Sequence, residues 1–154
     1  MTAAAARMRG FTLMELLVAM IVIGILAAIA IPNYSQYVLR ANRGAAKQVL
    51  LENAGALERA YTTNGCYDRT SVANCQSRAG SAPALARTQA PPEGTARYAI
   101  TADWNNPTTS GVGQRFTLTA TPNFTDTECG NLTLDHTGAR GISGTGTVAD
   151  CWRR

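Results

Sequence analysis

Histidine is almost missing: His136 is the one histidine in the 154 residues. Asp135 and Ser143 lie near it in sequence, but no nucleophile elbow surrounds Ser143, so His136 reads as a turn residue rather than as part of a triad. Four cysteines are present (Cys66, Cys75, Cys129, Cys151), and no two have C-x-x-C spacing. That argues against a zinc site and against a thioredoxin-type redox site. The glycines at 138, 141, 144 and 146 are followed by neither the lysine nor the helix of a phosphate loop, and read as turns. Large aliphatics are also scarce: residues 62–154 hold nine, with six aromatics. Such a region buries too little by itself and needs a helix to pack against. No metal, cofactor or enzymatic activity is expected from these residues.

Charge is missing altogether from Leu16 to Ile31, which reads LLVAMIVIGILAAIAI. Directly before this run stand Arg7-Met8-Arg9-Gly10-Phe11-Thr12-Leu13-Met14-Glu15. The 21 residues from Phe11 to Ile31 make a helix of about 31 Å, matching the roughly 30 Å hydrocarbon core of a bilayer. Arg7 and Arg9 keep the amino terminus cytoplasmic and send the remainder outward. A carboxylate such as Glu15 costs roughly 2.5–3.5 kcal/mol at mid-membrane and less near the surface, so a functional partner is to be sought for it.

Three readings compete for this segment. Ala28-Ile29-Ala30 imitates a small-x-small secretory cleavage site, but Glu15 interrupts the apolar region and the region is overlong. A permanent anchor leaves Gly10-Phe11 and Glu15 unexplained. Cleavage on the cytoplasmic side between Gly10 and Phe11, with the apolar segment retained, accounts for every part.

Read this way, a short basic leader ending in glycine, then FTLMELLVAMIVIGILAAIAIPNY, closely resembles a type IV prepilin. The resemblance is dense over residues 7–34. It implies removal of residues 1–10 by a prepilin peptidase, methylation of the new Phe11 amine, and assembly into a filament. Glu15 falls at the fifth position after the cut, where the family carries its acid. In a bundle of apolar helices an unpaired carboxylate needs a cation, and the freed Phe11 amine of the same or an adjacent subunit supplies one. Pro32 stands where the family has its proline, which is expected to kink or loosen the helix.

Loss of the leader removes Arg7 and Arg9 and lowers the formal charge from +4 to +2. The remaining arginines (among them Arg69, Arg78, Arg87, Arg97, Arg115 and Arg140) are scattered and only Arg153 and Arg154 adjoin, so a solvated, mildly basic surface is expected. An even cysteine count beyond an export signal implies two disulfides in an oxidising compartment, and four cysteines allow three pairings. Cys66–Cys75 closes a short local loop. Cys129–Cys151 resembles the C-terminal loop that many pilins staple, and this pairing is preferred. Each bridge is expected to contribute roughly 2–4 kcal/mol. Asn33-Tyr34-Ser35, Asn123-Phe124-Thr125 and Asn131-Leu132-Thr133 match the glycosylation acceptor pattern and are expected to be unmodified.

Leu39, Ala46, Leu50, Ala54, Leu57 and Tyr61 recur at helical spacing, with Arg40, Arg43, Lys47, Glu52 and Arg59 mostly off that stripe. The helix is expected to stop near Thr62–Gly65, because Asn64-Gly65 is a strong turn signal. Residues 65–94 read as a loop. Alternation then predicts three half-buried antiparallel strands in RYAIT, RFTLTAT and NLTLD, laid on the helix stripe. A glycine-punctuated tail ends at Cys151-Trp152, and CGNLTLDHTGARG resembles the last strand and C-terminal loop of PilE-like minor pilins.

The expected fold is therefore α+β. A long N-terminal helix, its apolar half protruding, packs by its second half on a small antiparallel sheet with a disulfide-stapled C-terminal loop. The expected organisation is a leader (1–10), a transmembrane and filament-core segment (11–34) and a periplasmic, then extracellular, head (35–154). The resemblance implies a minor pilin that waits in the inner membrane and ends in a surface pilus, supporting pilus biogenesis, twitching motility, adhesion or DNA uptake. Its implied partners are other pilin subunits, the prepilin peptidase/methyltransferase and the inner-membrane assembly platform. Two alternatives stand beside it. A type II secretion pseudopilin shares the leader, although the four cysteines and the 129–152 tail favour the pilus. A head that binds DNA or a surface is the other, with Arg140, Arg153 and Arg154 as candidate phosphate contacts.

Overall fold

The computed structural model describes residues 11–77, 80–104 and 113–153. Gly10, Arg78, Asn105-Asn106-Pro107 and Arg154 lie outside the described residues. The chain divides into two compact units between Leu39 and Arg40.

Helix α1 runs over Leu13–Asn64 and is unbroken through Pro32. In the first unit its apolar side chains are uncovered: Leu16, Ile21, Ile25 and Ile29 are 62%, 55%, 59% and 61% exposed. By length and composition α1 is sufficient to cross a membrane. The helix ends where the turn chemistry places its end. Gly65 adopts φ of 80°, and its N–H donates to the Tyr61 carbonyl at 2.8 Å. This is a left-handed glycine cap, a conformation that costs other residues a steric penalty.

In the second unit the rest of α1 lies on a five-stranded antiparallel sheet in the order β1-β2-β3-β4-β5. The strands are β1 (Gln89–Ala90), β2 (Tyr98–Asp103), β3 (Thr117–Pro122), β4 (Leu132–Asp135) and β5 (Arg140–Ile142). Period-2 alternation points Tyr98, Ile100, Leu118, Ala120, Leu132 and Leu134 inward, where they join Ala46, Val49, Leu50 and Leu57 of α1 in one core. The register fixes the facing pairs: Ile100 opposes Ala120, Ala120 opposes Leu132, and Leu118 opposes Leu134. Small and large side chains thus interleave. Aromatic rings extend the core beyond the few aliphatics, with Tyr61 stacked on Tyr67 at 4.5 Å between centroids and Phe116 edge-on to Tyr67 at 4.9 Å.

The middle three strands lie where alternation predicted them, but the segments beside them need correction. Residues 65–94 are not all loop: they carry helix α2 (Val72–Ser77) and edge strand β1. The glycine-rich tail holds edge strand β5 and helix α3 (Val148–Trp152). These elements are too short for a helical or strand period to register. The apolar stripe is also incomplete as read, because Val49 and the polar Asn53 and Arg43 are buried on it.

Leu50 is fully buried and its neighbour Leu51 is 51% exposed. Leu50→Ala should therefore cost about 2–5 kcal/mol of stability, against under about 0.5 kcal/mol for Leu51→Ala. Urea unfolding of the detergent-solubilised chain checks this, and equal losses would contradict the packing described.

Candidate functional site

At the amino-terminal end Phe11 is 85% exposed. Thr12 begins α1: its Oγ1 accepts the Glu15 N–H at 3.2 Å and its carbonyl accepts the Leu16 N–H at 3.2 Å. Thr12-x-x-Glu15 is the spacing of a helix-capping pair, and an acid in the first turn suits the positive end of the helix dipole. Thr12 thus starts the helix through its side chain, a role that the sequence analysis did not assign. Pro32 lies within α1.

The second cluster is formed by α1 and the C-terminal loop. Arg43 Nε donates to Asp126 Oδ2 at 2.8 Å, and Arg43 Nη2 donates to Asp126 Oδ1 at 2.6 Å and Glu128 Oε2 at 2.9 Å. Asp126 Oδ1 also accepts the Cys129 N–H at 3.0 Å. Burial works to raise the Asp126 carboxyl, but the Arg43 and Cys129 hydrogen bonds outweigh it and hold the group below the usual carboxylate range. The same surroundings, burial first and then the Asp126 charge, push the Tyr98 phenol up to about 12. Cys129 is bonded to Cys151, with Cα atoms 5.7 Å apart, and Cys66 to Cys75, at 6.0 Å.

The distal end of the loop is tied as firmly. Thr147 caps α3 by accepting the Asp150 N–H at 3.1 Å. Trp152 Nε1 donates to the Gly141 carbonyl at 3.1 Å, and the Arg140 guanidinium lies 5.2 Å from the centre of the Trp152 ring. Lys47 Nζ donates to the Arg153 carbonyl at 2.7 Å. Burial lowers the Lys47 pKa, and the charges of Arg43 and Arg140 lower it further. Lys47, Arg140, Trp152 and Arg153 are therefore gathered in one place.

The residues weighed for catalysis do not converge. Asp135 Oδ1 is occupied by Thr137 and Ala139, His136 faces the Phe116 ring at 6.3 Å, and Ser143 Oγ accepts the Asn131 N–H. Among the described residues no group of three or more His, Cys, Asp or Glu could hold a metal ion. The buried ion cluster was missed, although its signal was present. Arg43 falls four residues after Leu39 and three before Ala46, squarely on the apolar stripe.

A family model described as "Type IV minor pilin ComP, DNA uptake sequence receptor" matches residues 32–133, more than half of the chain. The chain belongs to the type IV pilin family. A second model, the prokaryotic N-terminal methylation motif, matches residues 6–31 of this pilin. The fimbrial protein EcpC of Eikenella corrodens is 38% identical over 65 residues, 42% of either chain. The type IV major pilin protein PilA of Myxococcus xanthus is 54% identical over 41 residues, 27% of this chain and 19% of PilA. The pilin thus spans less than half the length of these curated relatives. A solved type IV pilin from Shewanella oneidensis is 28% identical, covers 75% of this chain and 98% of its own, and superposes with a TM-score of 0.47. Family membership supports a structural, non-enzymatic role as a pilus subunit. Together with the apolar helix, it is consistent with a membrane-anchored precursor.

Asp126 is charged in the folded pilin at pH values where the unfolded carboxyl, near 3.9, has begun to protonate. Its contribution is present above that value and is lost as pH falls through the lower folded pKa. Asp126→Asn should cost about 3–5 kcal/mol at neutral pH, because Arg43 is left buried and half paired. It should also flatten the loss of stability below about pH 4, leaving the share due to Asp135, whose carboxyl is likewise held low. Urea midpoints across that pH range test both, and an unchanged acid limb would remove Asp126 from the account.

Proposed function

We propose that this pilin is a minor subunit of a type IV pilus. Residues 1–10 are its leader, cut between Gly10 and Phe11, after which Phe11 is N-methylated. Residues 11–34 hold it in the inner membrane, and residues 35–154 form the head exported to the cell surface. The observation that carries this reading is the row of uncovered apolar side chains on the first part of α1. Water is a poor solvent for such a surface, whereas lipid or neighbouring helices suit it equally. Transfer from membrane to filament then costs little. Packing and the pairing of Glu15 with a Phe11 amine set the register.

The test is the intact, non-reduced mass of protein sheared from the cell surface. The expected mass is that of residues 11–154 plus one methyl group, less the hydrogens lost in forming the two disulfides. Glu15→Ala should give the same amino terminus but fewer filaments. A mass beginning at Ile31 would make the protein a conventional secreted one and end the filament reading.

A second reading, that the head binds DNA, is favoured by Arg140, whose guanidinium lies over the Trp152 ring, and by Arg153, the next residue along the chain, whose carbonyl is held by Lys47. Cations grouped in this way suit phosphate contact. The double variant Arg140→Ala/Arg153→Ala should reduce the salt dependence of duplex binding by about two counterions. Absence of wild-type binding at low salt would exclude this reading.

A further inference from the structure

The loop from Asp126 to Arg153 is fixed at both ends by bonds that involve no sulfur. Arg43 and Lys47 stand one helical turn apart on α1. Arg43 takes the start of the loop through Asp126 and Glu128, and Lys47 takes its end through the Arg153 carbonyl. Between them four backbone bonds close the strap: Ser143 to Asn131, Gly144 to Cys129, Thr145 to Thr127 and Gly146 to Glu128. Gly144 has no room for a Cβ, which would meet the Glu128 carbonyl. Each cysteine is placed by its own backbone. The Cys129 N–H is held by Asp126 and its carbonyl by Gly144, while the Cys151 N–H is held by Thr147 within the capped α3.

We propose that this loop docks first and is stapled afterwards. Arg43 and Lys47 are positioning residues that hold the reduced loop in place and bring the Cys129 and Cys151 thiols together for oxidation. The oxidant is a small or protein-borne disulfide, and glutathione disulfide serves as the probe. One cysteine thiolate attacks a sulfur of glutathione disulfide and expels one glutathione thiolate. The second cysteine thiolate attacks the mixed disulfide and expels the other. Two electrons pass to the two glutathiones, which also take up the two protons that the cysteine thiols release. A clamp that pre-positions the thiols raises their effective concentration and shifts this equilibrium toward the bridge.

The full-length chain in detergent is equilibrated in mixtures of reduced and oxidised glutathione, quenched by alkylation, and mapped by peptide mass. Three proteins are compared: wild type, Lys47→Met, and Arg43→Met/Asp126→Asn/Glu128→Gln. The triple variant removes the charged partners together, so that no charge is stranded in the interior. Both variants are expected to lower the effective concentration at Cys129–Cys151 by more than about tenfold, leaving Cys66–Cys75 in the same molecules unchanged. Equal values in wild type and Lys47→Met would overturn the proposal, even if the triple variant failed to fold. A parallel shift at Cys66–Cys75 would also overturn it, since the effect would then be general loss of stability.

Discussion

The head depends on borrowing one helix as a wall of its core. With so few large aliphatics after residue 61, the sheet has little to close upon except α1, and Ala46, Val49, Leu50 and Leu57 supply that surface. The same dependence draws polar side chains inside. Arg43 and Asn53 share the stripe, and each must be satisfied because an unpaired buried polar group costs more than the contact around it returns. Arg43 finds two carboxylates of the C-terminal loop. Asn53 exchanges two hydrogen bonds with the backbone of Arg87, at 2.8 and 3.0 Å, just ahead of β1. The shortage of apolar material is thus offset by polar tethers, and those tethers tie the long connections on either side of the sheet to α1.

Along α1 the solvent requirement reverses. Up to Leu39 the helix exposes apolar side chains that water does not favour, and from Arg40 onward its apolar face is already covered by the sheet. A single element therefore presents two kinds of surface, and its two ends are capped by different chemistry. Thr12 and Glu15 start it with a polar cap beside apolar surroundings, and Gly65 stops it sharply enough for the chain to turn into the first disulfide loop.

Much of this was legible before any coordinates. The helix end at Asn64-Gly65 follows from turn chemistry, and β2, β3 and β4 follow from alternation long enough to count. The edge strands and short helices were illegible for a common reason. β1 has two residues and β5 three, and each exists because a longer neighbour offers it hydrogen bonds. α3 needs its Thr147 cap and a buried Trp152 to persist. Arg43 was legible in position but not in meaning, since a charge on an apolar stripe becomes favourable only when a carboxylate from far along the chain arrives beside it.

By itself the sequence determined the apolar helix, its basic and glycine-ended forerun, the Glu15 position, the three central strands and the family, because each rests on contiguous residues whose spacing carries the signal. Only the tertiary structure decided which helix positions are buried, how Arg43 and Lys47 grip the two ends of the C-terminal loop, and that Arg140 comes to lie over Trp152. Those contacts join residues up to 106 positions apart. Local propensity cannot encode such meetings; they form when burial of the common core brings the partners within hydrogen-bond reach.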